Sequence, residues 1–434
     1  MAGILRAGFG RADITPKLGC KLVGYGGREQ GATAVHDPLY ARALVVEDAA
    51  GVWAIVSCDL CYLFAETVAE IRASVQQQTS IPREHIFIAT THTHAGPHDR
   101  HVQNWDRPLA EIVANAVVQA HAQRRPARIG AGYSFLYGHS INRRWLDKPV
   151  DPGLMVVRVD DEQGKLLGLV SVFGCHAVVL GYDNLQISGD WPGYAMAKLE
   201  QELGPGITCL FFQGGAGDIN PLVEGVRRRL RRGEPVRAIG KVSTYYGQPD
   251  RPNEWNIGDR GGGTFAEVAE LGEAYAGEVA YVARTIPTGI PDLPFWSEQV
   301  VINAAAEPGE HPVRPPAPIA GDIIAAMDDQ HIWTELMLLG LGEVVLVGQP
   351  GEVFSETAVN VRMRLRHMGY RAPMLVSYAN GWFLYLPEAS AFVEGGYEPN
   401  WAATLNISRR FQERAWAAIE PVLRRRLPQP QPAR

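Results

Sequence analysis

Two stretches of the chain carry apolar runs on either side of a short polar turn. The first is ARALVVED (41–48) and VWAIVSCDL (52–60) around Gly51, and the second is LMVVRVDD (154–161) and LLGLVSVFGCH (166–176) around Gly164. That pattern predicts two β-hairpins. Apolar residues recurring every three to four positions predict helices over 64–78, 108–124, 265–286, 355–368 and 408–427. Hairpins interleaved with long helices imply an α/β fold, with mixed β-sheets flanked by helices. The expected organisation is a single enlarged domain over 1–434. Two segments break the periodicity: an irregular insert at 225–263, with RRRLRR at 227–232, and a Pro-rich segment at 304–320.

Several apolar strands end abruptly in polar or Gly-rich turns. HIFIAT runs into THTHAGP, placing His92 and His94 at a strand end, and SVFGCH delivers His176, with Asp190 following in ISGDWPGYA. ITCLFFQ leads to Asp218 and Asn220, EVVLVGQ to Glu352, PMLVSY to Asn380 and Tyr385, and VWAIVSC to Asp59. Ligands of open α/β sheets bind beyond the carboxyl ends of strands, so these six ends are expected to face one crevice. The chain's 46 glycines and 30 prolines exceed the roughly 7% and 5% of average usage. Many of them flank these turns, where unusual backbone angles are expected.

Charge and composition narrow the classes. With 41 Lys+Arg against 47 Asp+Glu, the chain lacks the basic footprint of a nucleic-acid binder, and the arginine run reads as a solvated face. No apolar run reaches the ~18–20 residues of a membrane span, and the first residues lack the apolar stretch of a secretory signal. Five cysteines (Cys20, Cys58, Cys61, Cys175 and Cys209) in so long a chain form no disulfide framework. Cys58 and Cys61 have CxxC spacing without a second pair, and read as core thiols. A cytoplasmic enzyme is the expectation.

His92 and His94 alternate along an extended segment, so both imidazoles can serve one metal, or one the metal and the other its water. His176 and Glu352, also at strand ends, strengthen the metal reading. There is no HExxH helix and no G-x-S-x-G elbow, which argues against a thermolysin-like protease and a simple serine hydrolase. Trp105, Trp145, Trp382 and Phe383 either wall a substrate pocket or belong to the core.

GFGRADITP, ARAL, SCDL, THTHAGP, SINR, FGCHAVVLG, ISGDWPGYA, QGGAGDINP and GQPGE occur in that order, followed by the Asn380/Tyr385/Tyr397–Glu398 region. In these motifs the chain resembles the neutral (alkaline, non-lysosomal) ceramidases, zinc-dependent amidases that cleave the N-acyl bond of ceramide. The resemblance implies a ceramidase-like catalytic domain with one Zn2+ per chain, held by His92, His176, Glu352 and Tyr385. It implies that His94 moves a proton to the leaving amine, and that Arg143 and Tyr397 hold the substrate and its developing oxyanion. Asp190 and Asp218 are expected to orient the zinc-bound histidines, and Asn220 and Asn380 to lie in that outer shell or on the substrate.

Two departures qualify the resemblance. The family's GD-x-S-P-N stretch reads GDINP here, so Asn220 stands where the family has its serine. The C-terminal immunoglobulin-like domain of longer members is expected to be absent. The expected reaction is hydrolysis of an amide or related acyl bond by metal-activated water. Its substrate is a small-molecule or lipid-like acyl amide, smaller and more soluble than ceramide, and a homo-oligomer is left open. The alternatives are a di-metal esterase or phosphoesterase using Asp59, Asp190 and Asp218, and a non-catalytic binding protein on the same scaffold.

Overall fold

The computed structural model describes residues 5–25, 28, 30–145, 148–232, 262–291, 293–311 and 332–427. An eight-stranded sheet runs in the order Thr208–Gln213 (β11), Leu166–Phe173 (β9), Gly153–Asp161 (β8), Arg125–Phe135 (β6), Arg6–Asp13 (β1), Tyr40–Asp48 (β3), Gly51–Cys58 (β4) and Ile86–Thr90 (β5). A four-stranded sheet follows the order Trp296–Asn303 (β13), Trp333–Leu341 (β14), Val344–Gly348 (β15) and Ala372–Val376 (β17). Three two-stranded ribbons complete the strands: Ala34–Val35 (β2) with Gln186–Ile187 (β10), Ser140–Asn142 (β7) with Ile219–Pro221 (β12), and Glu352–Val353 (β16) with Tyr385–Leu386 (β18). Both sheets mix parallel and antiparallel pairs, as the sequence pattern predicts, and both predicted hairpins form as β3–β4 and β8–β9.

Side chains of a strand alternate between faces, and here that alternation builds four layers. Met155, Val157, Val170 and Phe212 of the large sheet meet Met337, Leu339, Leu346 and Met374 of the small one in a shared apolar layer. The opposite face of the large sheet is covered by Ala65–Thr79 (α1) and Leu109–Ala122 (α2) near one end. Asp190–Leu203 (α3) and Phe265–Thr285 (α5) cover it near the other. Ser355–His367 (α6) and Phe411–Arg425 (α7) pack on the outer face of the small sheet. All five helices predicted from periodicity are present, and the arginine run falls mostly in a further helix, Glu224–Arg231 (α4). The remainder of the two irregular segments, 233–261 and 312–320, lies outside the described residues.

Counting through the antiparallel ladders, the parallel pair β4–β5 runs opposite to the parallel pair β9–β11. Seven interstrand steps at ~20–25° of twist each rotate the ends of the sheet by roughly 140–175° relative to one another. Ser57 Oγ on β4 accordingly reaches the carbonyl of Phe211 on β11, donating at 2.6 Å. Twist and curl thus bring strand ends that the ladder sets apart to one region, beside the carboxyl ends of the parallel pair β15–β17.

Candidate metal centre and active site

β5 ends at Thr90, and the chain then folds back so that the Leu60 carbonyl accepts the His92 N–H at 2.9 Å. His92 Nδ1 lies 2.7 Å from the Cys61 carbonyl, and His176 Nδ1, three residues past β9, lies 2.6 Å from the Ala216 carbonyl. A ring nitrogen facing a carbonyl oxygen must carry the proton, so each imidazole is fixed with its Nε2 unprotonated. Those two Nε2 atoms are 3.7 and 3.1 Å from Glu352 Oε2, and the three potential ligand atoms all lie within 4.8 Å of one another. Burial pushes His92 down to about 3 and His176 well below its ordinary value, so both rings are neutral. Burial raises Glu352, opposed by His92, Arg143 and the Tyr385 hydroxyl.

Two neutral imidazoles and one carboxylate, with tautomers held by backbone carbonyls, are a donor set that suits zinc and leaves a position for water. The parallel ribbon β16–β18 sets Glu352 directly opposite Tyr385, and the Tyr385 hydroxyl is a hydrogen-bond partner of the Glu352 carboxylate. The four residues expected to hold metal therefore meet. A second cluster, Cys61 with His92 and His94, also falls within ligand distance. Burial raises the Cys61 thiol well above its ordinary value.

The expected acid–base and oxyanion residues surround this cluster. His94 Nε2 is 3.1 Å from His92 Nε2. Arg143 Nη1 lies 3.2 Å from His176 Nε2 and its Nε donates to Glu398 at 2.8 Å. Arg144 binds the other Glu398 oxygen at 2.9 Å, so one carboxylate braces two guanidiniums. Burial works against the Glu398 charge, but Arg143 and Arg144 outweigh it and hold the carboxyl below its ordinary value. The Tyr397 ring meets that of Tyr385 edge-on, with centroids 5.7 Å apart.

Asp190, Asp218 and Asn380 are placed differently from expectation. The histidines are oriented by backbone carbonyls, and these side chains serve the scaffold. Asp190 accepts the N–H groups of Leu180 at 3.0 Å and Trp191 at 2.7 Å, and burial lifts its carboxyl to about 6. Asp218 accepts from the Ser355 N–H and from Asn142 Nδ2. Asn380 Oδ1 accepts the Ile88 N–H at 2.9 Å, tying β5 to the second sheet. Asp59 is engaged with Arg42 at 2.7 Å. None of Asp59, Asp190 and Asp218 joins a potential metal cluster among the described residues, which removes the carboxylate set a di-metal site would have used. Of the four aromatics, Trp382 joins an apolar cluster with Cys61, Tyr62 and Tyr378. Trp105 and Phe383 belong to larger cores, and Trp145 Nε1 donates to Glu394.

The sequence reading missed Tyr378 and Arg144. Tyr378 ends PMLVSY and stacks on His92, while Arg144 directly follows Arg143; each adjoins a motif already singled out. Backbone strain at the site also differs from expectation. Positive φ falls on Gly381 and also on His92, Asp190, Tyr378, Asn380 and Leu384, while Gly214, Gly215 and Gly217 have ordinary φ. Gly217 is glycine because a Cβ there would sit 2.4 Å from the Glu352 carbonyl oxygen, and Gly24 because a Cβ would strike the His94 ring at 2.3 Å.

Comparisons with known proteins bear on the sequence and the fold. A family model described as neutral/alkaline non-lysosomal ceramidase, N-terminal, matches residues 5–237. The chain is 28% identical over 304 residues to neutral ceramidase A of Dictyostelium discoideum, covering 61% of this chain and 42% of that protein. It is 27% identical over 262 residues to the neutral ceramidase of Mycobacterium tuberculosis, covering 51% and 41%. These matches span about two fifths of the length of the curated relatives. The crystal structure of neutral ceramidase from Pseudomonas aeruginosa shares the fold, with a TM-score of 0.75 at 20% identity, covering 100% of this chain and 76% of that one.

Proposed function

Because the chain belongs to the neutral/alkaline non-lysosomal ceramidase family, we propose that it is a zinc-dependent hydrolase of an amide or related acyl bond. The observation that carries this reading is the convergence of His92, His176 and Glu352, with both imidazoles locked as Nδ1–H tautomers by carbonyls. His92, His176 and Glu352 would hold the ion, with the Tyr385 hydroxyl beside them. Zinc bound there supplies Lewis acidity, lowering the pKa of water toward ~7 and polarising a carbonyl.

The chain's own groups then divide the work. His92 and His176, kept neutral by burial, present lone pairs alongside the Glu352 carboxyl. Arg143, fixed by Glu398, offers its guanidinium to an oxygen that gains negative charge as the carbonyl is attacked. His94, half-buried beside His92, is placed to hold a proton and pass it to the departing amine. Tyr397 closes the site next to Tyr385.

The substrate is proposed to be a smaller acyl amide than ceramide, since Asn220 replaces the family's serine and an amide group cannot relay a proton as a hydroxyl does. The test is a panel of N-acyl amides and esters, short-chain to ceramide, assayed with zinc-loaded and chelator-treated protein. Metal-dependent release of the carboxylic acid from a short-chain member is expected. A panel untouched by the zinc-loaded protein contradicts the hydrolase reading.

A further inference from the structure

Asn220 lies on the two-residue alternation of β12. Its neighbour Ile219 is buried in the apolar core under α3 and α5, so the Asn220 side chain turns the other way, toward Arg143. The residue is wholly buried. Arg143 Nη1 donates to Asn220 Oδ1 at 3.4 Å and sits 3.2 Å from His176 Nε2. The amide is thus one guanidinium removed from a ligand nitrogen. A guanidinium has only donors, so its contact fixes which end of the amide is oxygen. The opposite end, Nδ2, is buried and has no hydrogen-bond partner among the described residues.

A buried donor without an acceptor lowers the stability of the free protein, and such groups are few in native structures and call for an explanation. We infer that Asn220 Nδ2 is a donor to the acyl oxygen of the substrate, forming with Arg143 the pocket that holds this oxygen as its charge develops. The inference rests on the hydrolase reading and deepens it. Where a hydroxyl at this position would both donate and accept, the amide has its oxygen committed to Arg143 and only donates. The site therefore demands an acceptor oxygen there, as an amide or ester carbonyl and a carboxylate product provide. It gives nothing to a substrate needing an acceptor or a proton relay at that point.

Asn220→Asp tests this, because it keeps the oxygen beside Arg143, removes the donor and adds negative charge where the acyl oxygen would sit. Octanoate serves as a product-type probe, with binding measured calorimetrically on metal-free and zinc-loaded protein. The expected results are octanoate binding weakened at least ~10-fold in both forms, and kcat lowered ~10²–10³-fold on any amide or ester turned over. Asn220→Ala, which also lacks the donor, replaces the Asp variant if that one does not fold, with the same expected loss of binding. Octanoate bound equally by variant and wild type, or not bound by wild type at all, overturns the inference. A wild type that binds octanoate but cleaves nothing on the panel contradicts the hydrolase reading and leaves the donor role standing on the binding result.

Discussion

The imidazole of His92 lies nearly flat against the ring of Tyr378, with centroids 4.1 Å apart and planes 17° apart. Both residues hold left-handed backbone angles, at φ of 65° and 55°, which bulky side chains rarely adopt without surrounding structure to impose them. The stack covers one face of the His92 ring, while the Cys61 carbonyl holds its Nδ1–H at the edge. The Tyr378 hydroxyl, by contrast, is buried with no partner among the described residues. Tyr378→Phe is therefore expected to leave stability within about 1 kcal/mol of wild type or raise it, with metal affinity unchanged. Tyr378→Ala should cost about 3–5 kcal/mol and weaken zinc binding ~10–100-fold. Denaturant unfolding and competitive zinc titration of the two variants measure both effects.

Glu398 bridges Arg143 and Arg144 in a buried setting. Removing one member of such a set leaves charges buried without a partner, so Glu398→Gln is expected to destabilise by about 3–5 kcal/mol. The sign with pH follows from the direction of the shift. The folded carboxyl titrates below its ordinary value of 4.5, so its contribution is present above that value and is lost as pH falls toward the folded one. Melting temperatures followed from pH 7 into this acid range should fall more steeply for wild type than for Glu398→Gln. Parallel curves contradict the assignment.

Asp218 bridges the turn after β11 to the start of α6 through the Ser355 N–H and holds Asn142 on the ribbon that carries Arg143. Asp218→Ala is expected to cost about 1–3 kcal/mol without changing the number of zinc ions bound. A loss of metal from this variant identifies Asp218 as a ligand and revives the two-metal alternative. Unfolding curves and metal content read from the same preparation separate the two outcomes.

The sequence was most legible where a periodicity or a short local motif does the work. Both hairpins and all five helices follow from such patterns, whereas the set His92, His176, Glu352 and Tyr385, which the structure brings together, comes from the family resemblance. Asp190, Asp218 and Asn380 were harder to place, because a carboxylate or amide beside a glycine turn looks the same whether it faces a metal or a backbone N–H. In each of these cases the backbone took it. The stack of Tyr378 on His92 joins two segments far apart in the chain, and no local spacing announces it. The curl that brings β4 and β11 together at Ser57 and Phe211 is likewise a property of the whole sheet.

The central claim is that His92, His176 and Glu352 hold one zinc ion. It is tested most directly by measuring metal content per chain, by elemental analysis, in zinc-loaded wild type and in His92→Ala. One zinc in wild type and a near-complete loss in the variant are the expected results. Two ions per chain, none, or full occupancy in His92→Ala contradicts the account.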